Sequence, residues 1–405
     1  MGKFVLRRQL LRLAAAAFVL CTFSYAFKNS VLGRVSAGSI SRTAVTNQRV
    51  WTSLTYLSEL MAESSGRNVM LGSHGLHSSL SVLILGAHGR TKESLEKILP
   101  TDSTLRNSGQ EKSTATASGL AERTALWTKG SSLLEPTFQD ACKRWFQCEL
   151  FEGNNDEQLL AAINAWFQEA SGGQLEKAPL QRVGLISVGN VSTRSDRWAT
   201  PFHPQQTKDA VFHTARGSSA VRMMSQTSDF AVGRFRGWTA IALPLRHAAT
   251  ALFLLPPNTA QPRDVAAVNI AELAKTLRLQ FGSVSVPRFT ISSQIDFLPL
   301  LARTPAAIAL GEEADFSAMT RARVHVSAVQ QDTRLDVSED GLKATAGTEI
   351  LIAKLRSSRS AGYHIVFDRP FFVVITDERF TRIEFAASVT DPHPLLPSVA
   401  LRTEK

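Results

Sequence analysis

The stretch from Ser338 to Phe372, SEDGLKATAGTEILIAKLRSSRSAGYHIVFDRPFF, constrains the chain more than any other. Read as a strand, it places Leu342, Ala344, Ala346, Thr348, Ile350 and Ile352 on one face. Lys343, Thr345, Gly347 and Glu349 fall on the other, the period-two alternation of a half-buried strand. Yet Gly347 and the run of small residues do not hold a strand together alone, and KLRSSRSAG reads as an exposed loop. A segment patterned for burial but too weak to stay buried by itself suits a fold in which it is first a loop and later a central strand.

The rest of the composition is that of an ordinary globular protein, 44% hydrophobic and 20% charged over 405 residues. Residues 1–26 read as a signal peptide. Lys3, Arg7, Arg8 and Arg12 precede an apolar run from Leu13 to Phe23, and Ser24-Tyr25-Ala26 offers a small-residue cleavage site. The run is short for a membrane span, so an uncleaved anchor is the weaker reading, and the expected location is extracellular, by secretion. Losing the four leader charges takes the formal net charge from +10 to about +6. No dense lysine/arginine run remains, which argues against nucleic-acid binding. The pairs Arg321/Arg323 and Arg234/Arg236 leave room for weak attraction to acidic polysaccharide. Of three cysteines, Cys142 and Cys148 lie outside the leader. They would close a small loop as a disulfide, or sit as two buried thiols.

Taken in order, helices dominate the first half: Thr43–Ser64, Ser73–Leu85, Thr91–Leu99, Pro136–Phe146 and Leu159–Ala170, with short strands at Asn68–Leu71, Ala121–Trp127 and Val183–Val188. Thr101–Gly119 reads as a loose excursion. The second half is richer in strands: Ala220–Gln226, Phe230–Phe235, Thr239–Leu245, Thr250–Leu255, Ser283–Ile291 interrupted by Pro287, and Val324–Val337. Val265–Leu277 reads as a helix, and Pro370–Ile375 with Ile383–Val389 as a hairpin around Asp377-Glu378. The pattern is that of one α+β domain over residues 27–405.

Catalytic signatures are missing. Gly72-Ser73-His74-Gly75 is no nucleophile elbow, because adjacent Ser and His are poorly placed to act as nucleophile and base. His74 and His77 have no carboxylate or cysteine beside them at metal-ligand spacing, and no phosphate or dinucleotide loop occurs. No enzyme activity, metal or other cofactor is expected. Asn190-Val191-Ser192 matches a glycosylation acceptor but follows an apolar strand, which favours a buried asparagine.

Short motifs then accumulate in order. Asn68-Val-Met-Leu is followed by Leu85-Gly86-Ala87-His88-Gly89-Arg90-Thr91, and Ile163-Asn164-Ala165-Trp166 by Ser171-Gly172-Gly173. Asn190 precedes Trp198, Pro201-Phe202 and Thr207-Lys208-Asp209-Ala210. Met223-Met224-Ser225-Gln226, Leu243-Pro244, Pro287-Arg288-Phe289, Ala314-Asp315-Phe316-Ser317 and Phe367-Asp368-Arg369-Pro370-Phe371 complete the series. Together they resemble a serpin, the serine-protease-inhibitor fold, over residues 45–392.

That resemblance implies about three sheets and eight or nine helices, with an exposed reactive-centre loop at about 339–366. A serine protease cleaves the loop and is held as an acyl-enzyme while the loop inserts as a new central strand, so the native state is a kinetic trap. Glu339, Asp340 and Gly341 match the hinge, and Leu342, Ala344, Ala346 and Thr348 form an inserting face without charge. Leu342 departs from the small Thr or Ser usual there, and the larger side chain slows insertion. Below the loop, Gly72 and Gly75 stand where serines are usual, and Gln331 where a histidine is usual. Asn190 is kept, with Gln331 in position to bond it, and Trp198 completes the opening region. The cleaved bond is Arg356–Ser357, suited to a trypsin-like enzyme, with Leu355–Arg356 as the alternative. The expected protein is a monomeric secreted inhibitor of such a protease. The alternative is a non-inhibitory serpin, a carrier or a protease substrate, suggested by Leu342 and the altered opening cluster.

Overall fold

The computed structural model describes residues 53–64, 66–99, 120–129, 134–171, 186–258, 262–342 and 362–392, which fall within the compact unit Ala44–Lys405. The expected leader, the Thr101–Gly119 stretch and most of the expected reactive loop lie outside the described residues.

The first half of the chain builds helices around one side of a sheet. Helix α1 spans 53–63. Strand β1 (Val69–Gly72) passes without a linker into α2 (Ser73–Gly86), followed by α3 (Gly89–Ile98), β2 (Leu120–Lys129), α4 (Pro136–Phe146) and β3 (Glu149–Gly153). Helix α5 (Asp156–Ala170) begins where the Asn155 side chain accepts a hydrogen bond from the Gln158 N–H at 2.9 Å. Leu159, Ile163, Trp166 and Phe167 recur at helical spacing and give it one buried face. Strands β4 (Ile186–Arg194) and β5 (Asp196–Arg197) close this half.

The second half is mostly strand: β6 (Lys208–Thr214), β7 (Gly217–Phe235), β8 (Trp238–Pro244), β9 (Ala249–Leu255), β10 (Arg278–Pro287), β11 (Phe289–Asp296), β12 (Val329–Val337), β13 (Gly341–Leu342), β14 (His364–Val366), β15 (Phe371–Asp377) and β16 (Ile383–Val389). Helix α6 (Ile270–Thr276) is preceded by a 3-10 turn, so the helix expected over Val265–Leu277 is two pieces.

The described strands form two ladders. One runs β1-β16-β15-β9-β8-β7-β10-β14, with β6 against β7; the other runs β3-β2-β4-β12-β13-β5, with β11 against β12. Pro287 marks the switch between them. Proline has no N–H to give a ladder, so β10 ends there in the first sheet, paired with β7, and β11 starts at Phe289 in the second, paired with β12. What reads in sequence as one interrupted strand is therefore two strands in two sheets. The reverse holds for Ala220–Gln226 and Phe230–Phe235, which are one 19-residue strand because β10 pairs from Met223 to Val232, across the gap between them. An aromatic core including Phe253, Phe367 and Phe371 fills the space between the sheets.

Candidate functional site

Strands β4 and β12 lie side by side and parallel at the middle of the second sheet, paired from Val188/Val329 to Ser192/Thr333. Strand β2 flanks β4, and β11 flanks β12. Beyond Thr333, β12 runs on to Val337 and the chain reverses. Ser338 N–H donates to Gly341 O at 3.0 Å, and Gly341 N–H to Ser338 O at 3.3 Å. Leu342 then pairs antiparallel with Val337 on one side and with Asp196 of β5 on the other. The offset that sets Val337 and Asp196 on either side of Leu342 is the offset that already sets Val329 against Val188. The seam between β4 and β12 is thus wedged open at its top by one residue, in register with the strands below.

The turn is fastened from the neighbouring segment. Trp198 Nε1 donates to Ser338 O at 2.9 Å, and Trp198 N–H to Asp340 O at 3.0 Å. Phe202 N–H donates to Glu339 O at 2.9 Å, and the Thr207 hydroxyl to Glu339 Oε1 at 2.8 Å. Gly341, at φ 155°, passes so close to β5 that a Cβ there would overlap the Asp196 carbonyl oxygen. Leu342 is 0% exposed and packs in the inter-sheet aromatic core. Its burial has already been made in this state.

Below, the polar residues divide between the two sides of the seam. The Gln331 side-chain amide bonds both backbone groups of Gly72, its Nε2 donating to Gly72 O at 2.7 Å and its Oε1 accepting from Gly72 N–H at 2.8 Å. The Asn190 Nδ2 donates toward Glu122, Arg123 O and Thr124, and its Oδ1 accepts from the Ser192 hydroxyl at 2.8 Å. Gln331 and Asn190 are level in the ladder, but Gln331 is turned to β1 rather than to Asn190. The bond expected between them is replaced by these two sets. Asn190 is fully buried, as its apolar context suggests.

Gly75 explains part of the rearrangement: a Cβ on it would overlap Asn190 Oδ1 and Ser192 Oγ. Gly75→Ala would gain about 0.5–1 kcal/mol of helix propensity. Displacing the buried amide costs more, so a net loss of about 2 kcal/mol is expected as a lower urea midpoint.

Comparison with known proteins shows the family to which this fold belongs. The family model described as Serpin (serine protease inhibitor) matches residues 50–392. The chain belongs to the serpin family. Serpin A9 of Mus musculus is 25% identical over 98% of this chain and all of its own length. Among solved structures, human thyroxine-binding globulin superposes with a TM-score of 0.76 at 20% identity, covering 87% of this chain and 99% of its own. Native protease nexin-1 with heparin gives 0.74 at 23%, covering 87% and 100%. These show the serpin fold, in α+β form.

Other features of this serpin were not legible from sequence motifs. On the outer face of the seam, Val191 and Ala328 pack with Ile163, Trp166 and Phe167 of α5. Asp332, level with Val191, is 1% exposed, and neither carboxylate oxygen has a hydrogen-bond partner. Burial pushes its pKa up to about 7. In the sequence it is one more polar residue of QQDTR, with no sign that it is buried. At the top, Arg194 (2% exposed) binds Glu384 (4%) and, at 2.8 Å, Asp196 (0%), a buried ion cluster that holds β5 beside Leu342.

Ala344, Ala346, Thr348, Leu355, Arg356 and Ser357 lie outside the described residues. Cys142 and Cys148 are buried and unbridged. Among the described residues no group of His, Cys, Asp and Glu is placed to hold a metal ion, and no helix is long and apolar enough to cross a membrane.

Proposed function

We propose that this serpin is a secreted suicide inhibitor of a trypsin-like serine protease. The observation that carries the reading is Leu342, seated between Val337 and Asp196 in the register of the seam below. Continued downward in that register, Ala344 comes level with Leu335 and Arg194, Ala346 with Thr333 and Ser192, and Thr348 with Gln331 and Asn190. Each small inserting residue thus meets the existing ladder without a slip.

In this reading the protease serine attacks the Arg356 carbonyl carbon. The Arg356–Ser357 bond breaks, Ser357 leaves as a new amino terminus, and an ester joins the enzyme to Arg356. Insertion of the freed loop then competes with water for that ester. Lys343 comes level with Asp336, which already pairs through both oxygens with Arg334. Glu349 comes level with Gly189 and Gln330, under the region covered by α5 rather than in open water as the alternation alone suggests. The extracellular location and weak affinity for acidic polysaccharide belong to the same proposal; the relative solved with heparin supports the second.

Mixing the protein with trypsin is expected to give a covalent complex that survives SDS. Arg356→Ala should reduce trypsin inhibition by at least about a hundredfold. If Leu355→Ala alone does this, the bond is Leu355–Arg356. Complete cleavage with no complex, and a melting temperature unchanged by cleavage, would instead support a carrier or substrate, the reading to which the thyroxine-binding globulin likeness lends weight.

A further inference from the structure

We propose that His74 is a positioning residue for the seam, a latch that ties β4 to β12 from beneath when its imidazole is charged. The tie can be followed atom by atom. On the β12 side, Gln331 grips Gly72 through both ends of its amide. Gly72 leads directly into α2, so His74 is held two residues away on the same rigid helix start. His74 Nδ1 pairs with Glu122 Oε2 of β2. The other oxygen, Glu122 Oε1, accepts from Asn190 Nδ2 of β4 at 3.1 Å. The path from Gln331 through Gly72, His74 and Glu122 to Asn190 therefore joins the two strands that must separate for insertion. Across the seam itself run the ladder bonds of five residue pairs.

The inference rests on the insertion reading, because a latch matters only if the seam opens. Its chemistry is local. Glu122 on β2 holds the His74 pKa above its ordinary value, outweighing the desolvation that lowers it; Glu384 on β16 adds to the rise and Arg382 opposes it. Burial would raise the Glu122 carboxyl, but His74 together with hydrogen bonds from Ser78 and Asn190 keeps it low. His74 is 30% exposed and Glu122 17%, so solvent reaches the pair. The histidine contribution is complete below its ordinary pKa of 6.5 and is lost as pH rises through the raised value. The glutamate contribution is complete above 4.5 and lost as pH falls through the lowered value. The latch is closed in mildly acidic solution and loosens as pH rises.

Hydrogen exchange on the intact full-length chain tests this without any protease. The parent carries Asp332→Asn, which removes a buried seam carboxylate whose pKa burial pushes up to about 7. Protection of amides 188–192 and 329–333, corrected for intrinsic rates, is compared at about pH 6 and about pH 8.5. Protection should fall at the higher pH. His74→Ala should lower it about tenfold at the lower pH, the effect of losing a hydrogen bond between charged groups, and should abolish the pH response. His74→Lys, charged at both pH values, should hold protection at both. If His74→Ala does not fold, His74→Gln serves in its place, with the pH response again expected to vanish. A variant that keeps the parent's protection and pH response overturns the latch, as does a loss spread equally over β15 and β16. A missing trypsin complex would overturn the inhibitor reading while leaving this seam measurement to stand or fall separately.

Discussion

Asp332→Asn is expected to stabilise this serpin above about pH 7 and to flatten the dependence of its stability on pH. The carboxylate lies at the centre of β12, level with Val191, without a hydrogen-bond partner. Burial raises its pKa from 3.8 to about 7. The folded state therefore binds a proton more tightly than the unfolded one, and stability falls as pH rises between those values, then levels off. A shift of about three units corresponds to about 4 kcal/mol at most. The asparagine amide would also lack partners and would keep about 1–3 kcal/mol of that penalty. A net gain of about 2 kcal/mol, a few degrees in Tm, remains. Melts at a fixed scan rate from about pH 5 to pH 8 should show Tm falling with pH more steeply in the native protein than in the variant, where the His74–Glu122 pair still contributes. Because opening the seam gives Asp332 access to water, the variant should also form the trypsin complex more slowly. The charge then destabilises the closed sheet in the manner expected of a kinetic trap.

Arg194→Met is expected to have the largest destabilising effect, about 3–5 kcal/mol. The guanidinium binds Glu384 and Asp196, all three with almost no solvent, and the carbonyl of the exposed His247 accepts from it at 3.0 Å. Methionine retains much of the volume and the apolar stem but leaves the two buried carboxylates only their more exposed partners, His247 beside Asp196 and Arg382 beside Glu384. Adding Glu384→Leu should recover part of the loss, since one of those carboxylates is then gone. Urea midpoints of the two variants check both statements. Asp196 is the residue that Leu342 pairs with on β5, so the top of the seam should fray first. Limited proteolysis should then cut near Gly341 before the rest of the sheet opens. An Arg194→Met variant as stable as the native protein would mean that the buried cluster contributes nothing net.

The strands and helices that could be read from sequence were those whose own pattern decides them. Helix α5 carries its apolar face at helical spacing and its cap at Asn155. The hairpin β15–β16 is two apolar runs around Asp377, whose Oδ1 accepts from the N–H groups of Thr381 and Arg382. β3 and β6 escaped notice because they are half-exposed strands with many polar residues, kept as strands by their neighbours β2 and β7. Pro287 was visible as a break, but a break in a strand does not reveal that the two halves belong to different sheets.

For the stretch from Ser338 to Phe372, the sequence by itself determined the alternation from Leu342 to Ile352 and the absence of charge on the face that begins with Leu342. These follow from side-chain type and a period of two, and need no partner to be read. Tertiary structure decided that Leu342 is already seated in the sheet, that Gln331 turns to Gly72 and away from Asn190, and that Asp332 is buried without a hydrogen-bond partner. Each depends on which distant strand or helix supplies the neighbouring atoms, from 5 residues away at Val337 to 259 at Gly72. Hydrogen bonding and desolvation are set by those neighbours, and no local pattern encodes them.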